Sequence, residues 1–163
     1  MDWQPWLRFA HILGGFTFVL AHGVSIFITL KLRGERETVR ITALLDLSKY
    51  ALPASDVAIL VLLASGIAAG FVGDFWGQLW IWVSIGVLVF MFGYMSVRGV
   101  KHNDALRHAV GSIGFYDKKG TPAPEPDPAA LGGLLDSPRA MELAAVGGIG
   151  LVVILYLMAF KPF

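Results

Sequence analysis

The sequence predicts an all-α integral membrane protein, a four-helix bundle with one short amphipathic surface helix between its first and second spans. Three observations predict it. Of the 163 residues, 56% are hydrophobic and 15% charged, whereas an average soluble domain is ~45–50% apolar and ~25% charged. Four apolar stretches, at about 6–30, 55–73, 77–98 and 140–160, are each long enough at ~1.5 Å per residue to cross a ~30 Å hydrocarbon layer. The cations are also partitioned. All but Arg8 and Lys161 of the 13 Lys+Arg fall between spans one and two or between spans three and four, so both termini are expected on the outer side of a cell membrane.

In chain order, Pro5 suits the first turn of a helix, where no backbone donor is lost. Trp3 and Trp6 read as interface anchors, to be joined at the same end by Trp76, Trp80 and Trp82. Span one lacks a basic leader and a small-x-small cleavage site, and is expected to stay as an anchor. The run Lys31-Leu32-Arg33-Gly34-Glu35-Arg36-Glu37 ends it. From Thr38 to Leu47, Val39, Ile41, Leu44 and Leu45 recur among Arg40 and Asp46, the pattern of a helix lying on the membrane surface. Pro53 should close that helix, with Ser55 capping span two and Asp56 complementing its dipole.

Span two carries Ser65-Gly66-Ile67-Ala68-Ala69-Gly70, whose small residues at four-residue spacing let helix backbones approach closely. The tight reversal Gly73-Asp74-Phe75-Trp76-Gly77 predicts an antiparallel hairpin of spans two and three. Span three ends near Arg98, and a helix continues to about His108. Residues 111–136 read as a mobile linker because Gly120 to Pro128 is rich in proline. Ser137-Pro138 reads as cap and first turn of span four, in which Ala140, Ala144 and Gly148 make a smooth face. The whole chain is expected to be one membrane domain without internal repeats.

Composition excludes several functions. With no cysteine there is neither a disulfide framework nor a thiolate metal site. A net charge of +1 without a basic patch argues against nucleic acid. No nucleotide loop, hydrolase elbow, metalloprotease or calcium-loop motif is present, and no ring of carboxylates marks a channel or proton pump. The chemistry concentrates in span one. His11 and His22 lie three turns plus only ~20° apart, about 16 Å along one face, near Gly15, Phe18, Ser25 and Thr29. Such a stripe should turn away from lipid. Each imidazole reads either as a ligand or proton relay, or as a neutral group bonded to a neighbouring helix. Spans two to four hold no histidine, so a haem b on His11 or His22 would need methionine as its second ligand, or a second copy of the chain. Met91 is level with His22, although a methionine in a membrane helix is more often core filler than ligand. His102 and His108 are ~240° apart on a helix and share no ligand. With Lys101, Asp104 and Arg107 they read as a solvated face, or as a face for anionic lipid.

Trp6-Leu7-Arg8-Phe9-Ala10-His11-Ile12-Leu13-Gly14, the basic first inner loop and the closing Ala159-Phe160-Lys161-Pro162-Phe163 resemble small four-helix bacterial membrane proteins of the copper-resistance D type. More distantly they resemble the protoporphyrinogen oxidase J type. The second resemblance implies a haem ligand at His11 together with a lysine in span three, where this chain has none before Lys101. The first implies copper handling, for which a methionine- and histidine-rich exterior is absent. Three functions remain open: an accessory or scaffold subunit with a membrane-protein partner or a second copy, a haem-binding redox protein, and a transporter-like or copper-handling module.

Overall fold

The computed structural model describes residues 2–163, apart from the side chain of Leu52. It is all-α, with no strand among the described residues. Its helices are α1 (Gln4–Arg33), α2 (Thr38–Val72), α3 (Leu79–Tyr94), a single π-helical turn Met95–Gly99 that runs straight into α4 (Val100–Ala109), α5 (Pro128–Asp136) and α6 (Arg139–Phe160). Four helices, Gln4–Arg33, Thr38–Val72, Leu79–Ala109 and Arg139–Phe160, are long and apolar enough to cross a membrane. Their outward faces fit that solvent: Phe16, Phe27, Leu60, Phe71, Val89 and Leu155 are all more than 60% exposed, which water would penalise over so large an area.

The pairing of these helices departs from a simple hairpin order. α1 packs along α2 and α3 along α6, while α1 also meets α6; α2 and α3, although joined by the short reversal at residues 73–78, are not packed along their length. Glycine sets the first contact. A methyl on Gly14 would lie 3.0 Å from the backbone nitrogen of Leu62 and 3.3 Å from the carbonyl oxygen of Ala58, so α1 and α2 cross backbone to backbone at that point.

Three expectations are corrected. The helix beginning at Thr38 is not a separate surface element: α2 runs through Pro53 to Val72, and Ser55 is a buried helical residue, not a cap. A proline inside a helix removes one hydrogen bond and crowds the carbonyl four residues back, and a helix of 35 residues keeps its remaining bonds on either side. The stretch 111–136 is not all linker. Asp127 caps α5 by accepting from the Ala130 amide at 2.9 Å, and Pro128 opens its first turn. Leu131 and Leu135 then bury against Ile28, Leu32, Ile41, Leu45 and Leu106, and a buried leucine stabilises by ~1.5–3 kcal/mol. The proline-rich approach is pinned as well: the Asp127 amide donates to the Ala109 carbonyl at 2.9 Å, and Gly111, at φ +78°, makes room for Pro126. Finally, Ser137 does not cap α6; its hydroxyl donates to the Leu134 carbonyl at 2.9 Å, and α6 starts at Arg139 without a side-chain cap.

That buried cluster gathers the α1–α2 turn, the end of α4 and α5 at one end of the bundle. At the opposite end the tryptophans behave unequally. Trp3, Trp6 and Trp82 are exposed and Trp80 is buried, while Trp76 fills the notch at Gly70 and Lys161 stands over the Phe75 and Trp80 rings, 5.6 Å from each centroid.

Candidate functional site: a cleft between the second and third helices

Because α2 and α3 stand apart, a cleft of about 360 Å³ opens between them. α1 forms its floor with Phe18, His22 and Ser25; α2 supplies Asp56 and Ile59; α3 supplies Leu88, Met91 and Phe92. α4 closes one end with His102, Asn103 and Asp104, where Phe115 and Tyr116 of the following loop also line it. The cleft therefore has an apolar upper part and a polar lower end. The π-helical turn is placed between the two, with Met95, Ser96 and Gly99 on the wall, and such turns recur at functional sites.

The span-one histidines go to different places. His11 Nδ1 lies 2.9 Å from the Leu62 carbonyl and 3.4 Å from Ser65 Oγ, with its ring seated where a methyl on Gly66 would come within 2.9 Å of Cε1. Since a carbonyl only accepts, Nδ1 carries the proton and donates, and in the neutral imidazole that leaves the lone pair on Nε2. His22 instead stacks on Phe18, centroids 5.3 Å apart and planes 13° from parallel. Its Nε2 is buried without a hydrogen-bond partner among the described residues, against α6, where a methyl on Gly147 would lie 2.6 Å away. One more turn along α6, Met91 Sδ occupies the place of a Gly150 side chain. His22 and Met91 are thus brought to the same stretch of α6, and His11 is not. Ser25 and Thr29 donate to the Ala21 and Ser25 carbonyls at 3.3 and 2.8 Å, so their hydroxyls are satisfied within α1.

His22 Nε2 and Met91 Sδ both lie against glycine backbone on α6, at Gly147 and Gly150, while both residues also line the cleft. His11 fits better as a single ligand, because an Nδ1–H bonded to a carbonyl with Nε2 free is the usual posture of a metal-binding imidazole. No group of three or more His, Cys, Asp or Glu side chains suited to a metal ion occurs among the described residues.

The face read as solvated around His102 and His108 is more organised than its composition suggests. Arg107 is 2% exposed, with one guanidinium nitrogen donating to the Leu45 carbonyl and the other 3.6 Å from Asp46. The α-helical spacing that sets His102 toward the cleft turns Arg107 inward. His108 Nε2 and the Gly114 amide both lie 2.8 Å from Asp117, and these two hydrogen bonds hold the Asp117 carboxyl below the usual aspartate range. Asp104 accepts from the Phe115 amide at 2.6 Å. The loop bearing Phe115 and Tyr116 is therefore tied to α4 at the polar end of the cleft. Sequence reading missed the cleft entirely; its one local signal was the Gly99 and Ser96 pair where span three meets α4.

Between α3 and α6, Tyr94 donates to Glu142, which pairs with Arg139 at 3.1 Å. Glu142 thereby links α3 to the first turn of α6. No family model matches the chain, and neither a curated protein nor a solved structure matches it.

Proposed function

We propose that this chain is a non-catalytic accessory protein of the membrane that holds an amphiphilic molecule in the cleft between α2 and α3. One observation carries the reading: a cleft whose walls change from Phe18, Leu88, Met91 and Phe92 to Asn103, Asp104 and Tyr116 along its length, opening between two helices long and apolar enough to span a bilayer. A molecule with an aliphatic tail and a polar head matches both ends, and enters sideways from lipid. The protein purified in mild detergent should retain one such molecule per chain in native mass spectrometry, and Ile59→Trp, which fills the cleft from α2, should lose it while staying folded. Protein that carries no amphiphile, or a variant that keeps it, would sink the reading.

The second reading is a haem-binding redox protein, and the posture of His11 favours it. The resemblance to the oxidase J type implies a haem ligand at the same residue. Here His11 would supply Nε2, the Leu62 carbonyl would fix its tautomer, and haem b would bring the electron-transfer chemistry. A Soret band in the purified protein that disappears in His11→Ala supports this reading; colourless protein that stays so with added haem excludes it.

We also propose that both termini face outward. The two cation-bearing segments meet at one end of the bundle through Ile41, Leu45, Leu106 and Leu131, as the positive-inside rule requires of a single cytoplasmic face. A cysteine at position 2 should then react with an impermeant thiol reagent in intact cells, and one at position 125 should not. The reverse pattern would invert the topology.

A further inference from the structure

We infer that the loop after α4, residues 111–119, docks on lipid: Ile113, Phe115 and Tyr116 enter the rim of the bilayer at the cation-bearing end of the bundle, and Lys118 and Lys119 take anionic headgroups beside them. The inference needs only that the long apolar helices cross a membrane, and it holds whatever occupies the cleft and whichever way the bundle is inserted.

The register of α3 against α6 fixes the depth of this loop. Met91 fills the place of a Gly150 side chain, a methyl on Gly147 would lie 3.1 Å from Met95 Cε, and one on Gly99 3.7 Å from Leu143 Cδ2. Each turn along α3 is matched by one back along α6, which sets Asp104 level with Arg139, the first residue of α6. The Phe115 amide donates to Asp104 at 2.6 Å, so the loop lies at that level too. It has doubled back from Ala109, the end of α4, by about five helical residues or ~7.5 Å, to the rim where the apolar run of α6 begins. Gly114 lets it lie flat. The residue is buried, and a methyl there would come within 3.0 Å of His108 Nε2 and 3.1 Å of Asp104 Cγ. The loop meets α4 through this glycine and leaves Ile113 and Phe115, on either side of it, exposed, with Tyr116 68% exposed.

The charges of the loop are sorted in the same way. Its one carboxylate, Asp117, is turned onto His108 Nε2 and the Gly114 amide, 2.8 Å from each. Lys118 and Lys119 are exposed and enter no ion pair among the described residues. Lys101, on the α4 face that also carries Asp104 and His108, is likewise exposed and unpaired. All five tryptophans belong to the opposite end, so Phe115 and Tyr116 are the aromatic anchors that the rim on this side would otherwise lack. Exposed aromatics with adjacent lysines at headgroup level complement a lipid of net negative head, and the bilayer already lies at that level.

The chain has no cysteine, so Ile113→Cys, Tyr116→Cys and Glu125→Cys each take a single bimane fluorophore. Position 125 is the control on the water side, because its neighbours Pro124 and Pro126 lie against Gly111, past the end of α4. With the full chain in vesicles of phosphatidylcholine and phosphatidylglycerol, a nitroxide-bearing lipid should quench the first two and spare the third. Native mass spectrometry from neutral detergent should show phosphatidylglycerol bound at concentrations at least about tenfold below phosphatidylcholine, a gap that narrows as salt is raised. Lys118→Gln with Lys119→Gln should remove most of it. Neither lysine holds the loop to α4, which rests on Asp104, His108 and Asp117, so the variant keeps its fold. Quenching at 113 and 116 no greater than at 125 would overturn the docking and leave the loop as a surface for a soluble protein. Equal binding of the two lipids, or a phosphatidylglycerol preference that survives both lysine substitutions, would overturn the headgroup role.

Discussion

Gly14→Val should be the most damaging single substitution in the helical bundle. A side chain at that position meets main chain on α2, the Leu62 nitrogen at 3.0 Å, its Cα at 3.2 Å and the Ala58 oxygen at 3.3 Å, none of which swings aside as a flexible side chain would. Overpacking a tight core costs ~1–3 kcal/mol, sometimes more, and here the whole of α1 must lift to relieve it. The His11 bond to the Leu62 carbonyl would stretch with it. Unfolding in a detergent titration should show the variant less stable by at least ~3 kcal/mol, above the ordinary range of such changes. Gly23→Ala is the control: nothing lies near its added methyl, and alanine is the better helix former by ~1 kcal/mol. Equal stability of Gly14→Val and the parent chain would show that α1 and α2 do not cross there.

Arg107 gives the second large effect, and its direction depends on what replaces it. The side chain is 2% exposed among Ile41, Leu45 and Leu106, which are as deeply buried. Arg107→Ala removes the long aliphatic stem and leaves a hole, which for large-to-small changes costs ~2–5 kcal/mol. It also deprives the Leu45 carbonyl of its charged donor. Arg107→Met keeps most of the volume. It loses the charge-assisted hydrogen bond, worth about 1.5–3 kcal/mol, but also relieves the cost of burying a guanidinium whose carboxylate partner, Asp46, is half exposed and 3.6 Å away. The methionine variant should therefore fall within ~1.5 kcal/mol of the parent, as volume-conserving swaps do, and the alanine variant well below it. Thermal unfolding of both decides: an alanine variant as stable as the parent would place Arg107 on a hydrated face.

This arginine shows where sequence reading stops. In Lys101-His102-Asn103-Asp104-Ala105-Leu106-Arg107-His108 only Ala105 and Leu106 are apolar, and nothing in the pattern sets Arg107 apart from its charged neighbours, so the run reads as a hydrated face. Only the arrival of α2 and α5, whose Ile41, Leu45, Leu131 and Leu135 come from far along the chain, makes a buried slot at that position. α5 itself was legible: Asp127-Pro128 is a cap and first turn, and Leu131, Leu134 and Leu135 keep helical spacing. The prolines before it concealed a signal that was present.

What the sequence by itself determined is local. Hydropathy averaged over twenty residues marks four helices long and apolar enough to cross a membrane, because a span is stable in lipid through its own backbone hydrogen bonds and its own side chains. The small residues of α2 also announced themselves, although not what they admit. Tertiary structure alone decided which side chain enters which notch: His11 at Gly66, Trp76 at Gly70, His22 at Gly147. It also decided that helices adjacent in the chain, α2 and α3, would stand apart and leave the cleft between them. Helical phase aligns His11 with His22, but a long helix meets different neighbours along its length, and contacts between distant segments carry no period for a sequence to display.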